Sequence, residues 1–270
     1  MKTAPTLVLL LLLFCFFGGC KVDNTQKIFD TIVVSSEHHS FVYLFADQFN
    51  YFSDDEESAV FNPALAGTSN GVNANKLHGM LLFPDTFLDS TLFTTTALSF
   101  KSMFDNNGNN SFNSYPSIAE GLVNYGTSFN NWKAAIDSVQ KTPAVCGIGM
   151  SKEVYGNYVN VNVKVDFYNN VNDSVSIALY VVQEEVQAIQ IVNPNDTNFK
   201  YNHKKVLRFS PNGEFGENIH FLPKAGTSQH TTVTVFLPSQ FNGASLEYLA
   251  VVYKMGESRP TSVLNCAALK

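Results

Sequence analysis

Cysteine is scarce in this chain. There are four, Cys15, Cys20, Cys146 and Cys266, too few for the disulfide framework that holds together small secreted folds without a large core. Charge is thin as well, with 17 basic against 23 acidic residues in 270. That moderately negative balance argues against nucleic acid as a partner, which calls for a basic surface. Beyond residue 20 no apolar run is long enough for a second membrane span. Internal repeats, a glycine-rich phosphate loop and a distinguishable Ser/His/Asp order are all missing, so neither cofactor nor metal is expected. What is plentiful is aromatic, with 23 Phe and 11 Tyr. Together with many Asn, Ser and Thr this is the composition of a β-rich secreted protein with polar turns.

The first twenty residues carry an address. Lys2 is a positive n-region and residues 7–17 an h-region of signal-peptide length, shorter than the roughly 20 residues a span needs. Phe17-Gly18-Gly19-Cys20 resembles a lipobox, with Phe in place of the usual Leu. Small residues let the backbone enter a signal peptidase and the Cys20 thiol carries lipid, giving a lipoprotein signal peptide over 1–20 and a membrane partner for the mature chain. An ordinary signal peptide with Cys20 incidental is the alternative. With Cys15 removed and Cys20 acylated, Cys146 and Cys266 remain. One disulfide between them and two buried free thiols both fit their apolar, strand-like contexts.

A polar tether and domain entry occupy 21–40. Phe41-Val42-Tyr43-Leu44-Phe45 reads as a buried strand. Ser53 and Glu56 have capping-box spacing, so a helix is expected to start there and to bend or stop at Pro63. A strand over 77–83, a helix over about 89–104, a strand after Ser117 and an amphipathic helix over 128–139, with Phe129, Trp132, Ile136 and Val139 on one face, complete an α/β pattern over 41–141. At Thr142-Pro143 the period changes from 3.6 to 2. Val159, Val161, Val163, Val165 and Phe167 alternate with polar residues, and further strands are expected at 175–183, 205–209, 231–237, 246–253 and 261–268. Such a run over 142–270 suggests an immunoglobulin-like antiparallel β-sandwich. The fold class is thus α+β, in two domains.

Several stretches together resemble the Omp-twenty-eight-related outer-membrane lipoproteins of Gram-negative bacteria. They are Tyr115-Pro116-Ser117, Trp132-Lys133-Ala134-Ala135-Ile136, Leu179-Tyr180-Val181-Val182-Gln183, residues 201–208, Gly213-Glu214-Phe215-Gly216-Glu217 and Val263-Leu264-Asn265-Cys266-Ala267. The resemblance implies a thioredoxin-like first domain, a β-sandwich second domain and a cell-envelope address. Many relatives carry Cys-x-x-Cys just after the first strand; here that region, including Asn50 and Ser53, has no cysteine. Without a thiolate there is no mixed disulfide, so the domain reads as degenerate. Pro116 matches the family's cis-proline position, an ordinary trans turn being the alternative.

Bland readings compete with each remaining candidate. His38-His39 lacks a third ligand at metal spacing. Residues 54–57 lack the alternating ligands of a calcium loop and read as a solvated helix start. His203 with Arg208 fits an anion grip or a hairpin surface. The expected function is a non-catalytic, lipid-anchored outer-membrane protein that binds a protein or glycan partner, on a membrane face the sequence leaves open. The alternatives are an envelope thiol-disulfide oxidoreductase using Cys146 and Cys266, and a structural subunit of an outer-membrane complex.

Overall fold

The computed structural model describes residues 24–69, 72–85, 92–105, 117–219 and 222–270. Phe17, Gly18, Gly19, Cys20 and Pro116 lie outside them. Contacts divide the chain into two units, Met1–Thr31 and Ile32–Lys270. The described part of the first is a helix, α1 (Asn24–Thr31). It begins within the stretch expected to be a polar tether, and Thr31 Oγ1 donates to Ile28 O at 2.8 Å in its last turn.

In the second unit the order is β1 (Ser40–Phe45), α2 (Tyr51–Glu56), a π-helical turn (Glu57–Phe61), α3 (Asn62–Leu65), β2 (Leu77–Leu82), α4 (Thr95–Asp105), β3 (Ser117–Glu120), β4 (Val123–Gly126) and α5 (Phe129–Lys141). Strands then dominate: β5 (Cys146–Tyr155), β6 (Tyr158–Phe167), β7 (Val175–Asn193), β8 (Asp196–Phe209), β9 (Glu217–Ile219), β10 (Ser228–Phe236), β11 (Leu246–Met255) and β12 (Pro260–Leu269). The change of period at Thr142-Pro143 falls between α5 and β5, as the alternation required.

The fold is a mixed α/β arrangement of one large and one small sheet. The large sheet runs β12-β11-β7-β8-β2-β1-β3-β4, with β9 on β7; the small one runs β10-β6-β5. β1 and β2 are parallel, as a helical crossover dictates. The strands before and after residue 142 therefore share a sheet, joined where Leu81 of β2 pairs in parallel with Val206 of β8.

Alternation along the strands builds three cores. Phe41, Tyr43 and Phe45 of β1 face the same cluster as Tyr180 and Val182 of β7, Val251 and Tyr253 of β11 and Phe100 and Phe104 of α4. Val42 and Leu44 face the other way, onto Trp132 and Ile136 of α5 and Phe61 of the π turn. Further along that second face the small sheet covers the large one, with Val161, Val163 and Val165 against Ile177, Leu179 and Val252. The first cluster belongs to both halves of the sequence: Phe41 stacks on Tyr180 at 6.1 Å between centroids, and Phe100 meets Tyr180 and Phe215 at 5.7 and 5.3 Å. Each such buried ring or aliphatic side chain contributes about 1.5–3 kcal/mol.

Two element boundaries departed furthest from expectation. β7 continues ten residues past Gln183, and β8 begins at Asp196 rather than Lys205. Their polar positions are strand residues whose side chains bond to other segments, so periodicity alone does not extend the strands that far.

Gly216 holds the turn before β9 at φ +77°, and a Cβ there would sit 2.1 Å from Ile177 O. Gly156, at φ +60° in the β5–β6 turn, faces open space. In urea denaturation Gly216→Ala should cost about 3 kcal/mol or more, through left-handed strain plus a backbone clash, whereas Gly156→Ala should cost about 1 kcal/mol from strain alone.

Candidate functional site

The region after β1, which contains no cysteine, is a joint. Asn50 rather than Ser53 opens the helix: its Oδ1 accepts the N–H of Phe52 at 3.0 Å, and its carbonyl accepts the N–H of Ser53 at 2.9 Å. Ser53 lies inside α2, buried, with Oγ accepting the N–H of Asp47 at 3.1 Å, which corrects the expected capping box. The same loop is bonded to the far end of β7. Gln48 Nε2 donates to Ile189 O at 2.7 Å, and the N–H of Ile191 donates to Gln48 O at 2.9 Å. Gln190, itself buried, donates to Asn50 O at 3.2 Å.

One turn further on, the acidic run proves not to be a solvated helix start throughout. Glu57 is 1% exposed and His203 0% exposed. His203 donates its Nδ1–H to Glu57 Oε2 at 2.9 Å, and the N–H of Lys204 donates to Oε1 at 3.0 Å. Phe83 meets the imidazole edge-on at 5.0 Å and Tyr201 lies at 4.6 Å, while Nε2 finds no hydrogen-bond partner among the described residues. The expected surface placement of His203 is therefore corrected: it is a core residue, paired with a carboxylate 146 positions away. Arg208 stands apart from it, with its guanidinium 5.4 Å over the Phe241 ring.

Between these residues Lys205 adopts φ +58°, the one described non-glycine residue with positive φ. The ladder keeps one register across it, from Glu185↔Lys204 to Gln183↔Val206, and the Lys205 ammonium bonds Glu184 at 3.0 Å and also Glu247. Lys270 bonds Glu184 at 2.9 Å. Val206, the residue after Lys205, pairs with Leu81 of β2.

His38 and His39 precede β1 and do not act as a pair. His38 Nδ1 meets Thr142 O at 3.2 Å, whereas His39 Nδ1 and His78 Nε2 share a hydrogen bond at 2.8 Å. Burial, then the neighbouring His39 and Lys205, pushes His78 down to about 3, so it stays neutral at ordinary pH. Among the described residues no group of three or more His, Cys, Asp or Glu is placed to hold a metal.

Cys146 and Cys266 are free and buried, so the disulfide left open by the sequence is not formed. Their side chains sit in different clusters, Cys146 of the small sheet in the core between the two sheets and Cys266 in the aromatic cluster. Burial raises Cys146 to about 12 and also raises Cys266. Both are thus poor nucleophiles. Asn265 lies between them, accepting the N–H of His39 and donating to Cys146 O at 2.7 Å.

One concavity is an open cleft whose walls mix aromatic and polar side chains. This cleft of about 790 Å³ is lined by Phe93, Phe209, Phe236 and Phe241 with Gln183 and Arg208. The spacing of its residues gave no forewarning, because they come from four separate segments.

No family model matches the chain, and no curated protein matches it. Solved structures do. HBP35 of Porphyromonas gingivalis aligns over 87% of this chain and 76% of its own at 12% identity, with TM-score 0.61. Protein AGR_C_4864 of Agrobacterium tumefaciens aligns over 87% of this chain and 96% of its own at 11% identity, with TM-score 0.57. At these identities the likeness is one of fold.

Glu120 ends β3 beside a cavity of about 200 Å³ that His38 and His39 also line. Burial raises its carboxyl to about 7 from an ordinary 4.5. Between those values the folded state holds a proton that the unfolded chain releases, so stability falls as pH rises and levels off above 7. The difference in unfolding free energy between wild type and Glu120→Gln should therefore grow by up to about 3 kcal/mol from pH 4.5 to pH 8, as read by urea titrations. A difference independent of pH would contradict the assignment.

Proposed function

We propose that this chain is a lipid-anchored envelope protein of Gram-negative bacteria, related to the Omp-twenty-eight-related outer-membrane lipoproteins, that binds a protein or glycan partner rather than catalysing a reaction. The observation that carries the reading is the joint at 47–57. In place of an exposed reactive pair, the loop after β1 spends its polar groups on β7 and β8.

The succession β-α-β-α-β-β-α over 40–141, with strand order β2-β1-β3-β4, supports a degenerate thioredoxin-like first half. The packing of β5, β6 and β10 on β7 and β11 supports an immunoglobulin-like sandwich in the second. The oxidoreductase alternative is disfavoured by both thiols being buried, with their ionisation suppressed. The lipobox-like Phe17-Gly18-Gly19-Cys20 supports the anchor and the outer-membrane address.

Mass spectrometry of the protein recovered from membranes should find Cys20 as the acylated amino terminus, and an unmodified terminus at another residue would contradict the anchor. Crosslinking of the tagged protein in intact cells, together with retention on polysaccharide, tests the binding role; failure of both would end it. Insulin-disulfide reduction should be no faster than with a Cys146→Ser/Cys266→Ser variant.

A further inference from the structure

The outer face of the small sheet has a composition that the fold does not require. Along β6 the inward residues are valines and Phe167, so Tyr158 and Asn160 face outward, while Asn162 on the same side is buried. The register places Tyr155 of β5 and Phe236 of β10 on either side of Tyr158. This gives an aromatic row across all three strands at the turn end. The three rings are 58%, 51% and 51% exposed, in the order Tyr155, Tyr158, Phe236. Tyr158 and Phe236 lie 5.2 Å apart and tilted by 49°, a shallow apolar step.

Directly beneath is a row of hydrogen-bonding groups, Glu153, Asn160 and Thr234. Thr234 donates its hydroxyl to Asn160 Oδ1 at 2.9 Å. That bond orients the amide, leaving Nδ2 as donor while the Thr234 oxygen and the Glu153 carboxylate keep acceptor capacity. The next row repeats the device, with Thr232 donating to Asn162 Oδ1 at 2.7 Å.

We infer that this strip, Tyr155, Tyr158 and Phe236 above Glu153, Asn160 and Thr234, is a binding site for a neutral polysaccharide. A pyranose ring offers an apolar face of C–H bonds that lies against an aromatic ring, and a rim of hydroxyls that both donate and accept. The strip supplies both surfaces side by side on a rigid sheet. Its size and charge select that occupant. Three strands at about 4.8 Å spacing and two outward rows give a patch about 10 Å by 7 Å, far below the roughly 800 Å² per partner of a stable protein interface. Glu153 is the one charge in the two rows, so a phosphate polymer or an anionic lipid surface would find no cation there. The inference rests on the reading of this chain as a binding protein and names the ligand class and the place.

The test is retention of the full-length protein on immobilised dextran, laminarin, mannan, xylan and levan, competed with the same polymer in solution. Retention on at least one is expected, reduced tenfold or more in Tyr158→Ala and in Phe236→Ala, and weakened in Thr234→Val, which keeps the volume but removes the hydroxyl. Tyr158→Phe, which keeps the ring, should retain binding. Retention on none of the five, or retention unchanged in a Tyr158→Ala/Phe236→Ala double variant, overturns the proposal. If polysaccharide retention fails while in-cell crosslinking still traps a recurrent protein, the glycan site falls and the binding role stands.

Discussion

The Glu57–His203 pair is the contact on which the architecture turns. Glu57 sits in a π-helical turn of the first half, and His203 in the middle of a strand of the second. Neither is accessible to water, so neither can be left without the other. Removing one partner leaves the other's buried polar group without its hydrogen bond, at a cost of about 1–3 kcal/mol. Because the second carboxylate oxygen takes the N–H of Lys204, the pair fixes the backbone of β8 as well as a side chain. Lys205, at positive φ, follows immediately, and beyond it Val206 meets β2.

From that joint the rest follows in a connected way. The long β7–β8 ribbon belongs to the sandwich at one end and reaches the loop after β1 at the other, where Gln48 and Gln190 bond it down. The aromatic cluster closes over the same sheet face, with Phe41 on Tyr180. The polar residues of the loop after β1 serve as connectors, and the cleft and the outer face of the small sheet lie open to solvent. Function is proposed there because those are the places where exposed rings and unspent polar groups lie side by side.

Much of this was legible in the sequence where a single element carried its own signal. The strands at 41–45 and 77–82, the face of Trp132 and Ile136 and the alternation of Val159 to Phe167 all obey local periodicity. What local pattern could not reveal is partnership across the chain. Glu57 was indistinguishable from its acidic neighbours, because burial is decided by His203 far along the sequence. The polar stretch 184–190 reads as loop, yet it is strand because Gln190 and the main chain around it are bonded to 47–50. The aromatic strip was hidden for a related reason, since its rings come from three strands that only the register aligns.

The central claim is that the two halves share one sheet and one aromatic core rather than standing as separate domains. It can be tested through Trp132, the one tryptophan, which lies in the first half against β1 and donates to Ala119 O at 3.1 Å. Equilibrium urea unfolding of the protein should be followed by Trp132 fluorescence and by far-ultraviolet circular dichroism, the latter dominated by strands of the second half. Coincident midpoints and slopes are expected for one cooperative unit. A fluorescence transition separated from the dichroism transition would show that the halves unfold independently, and would contradict the account.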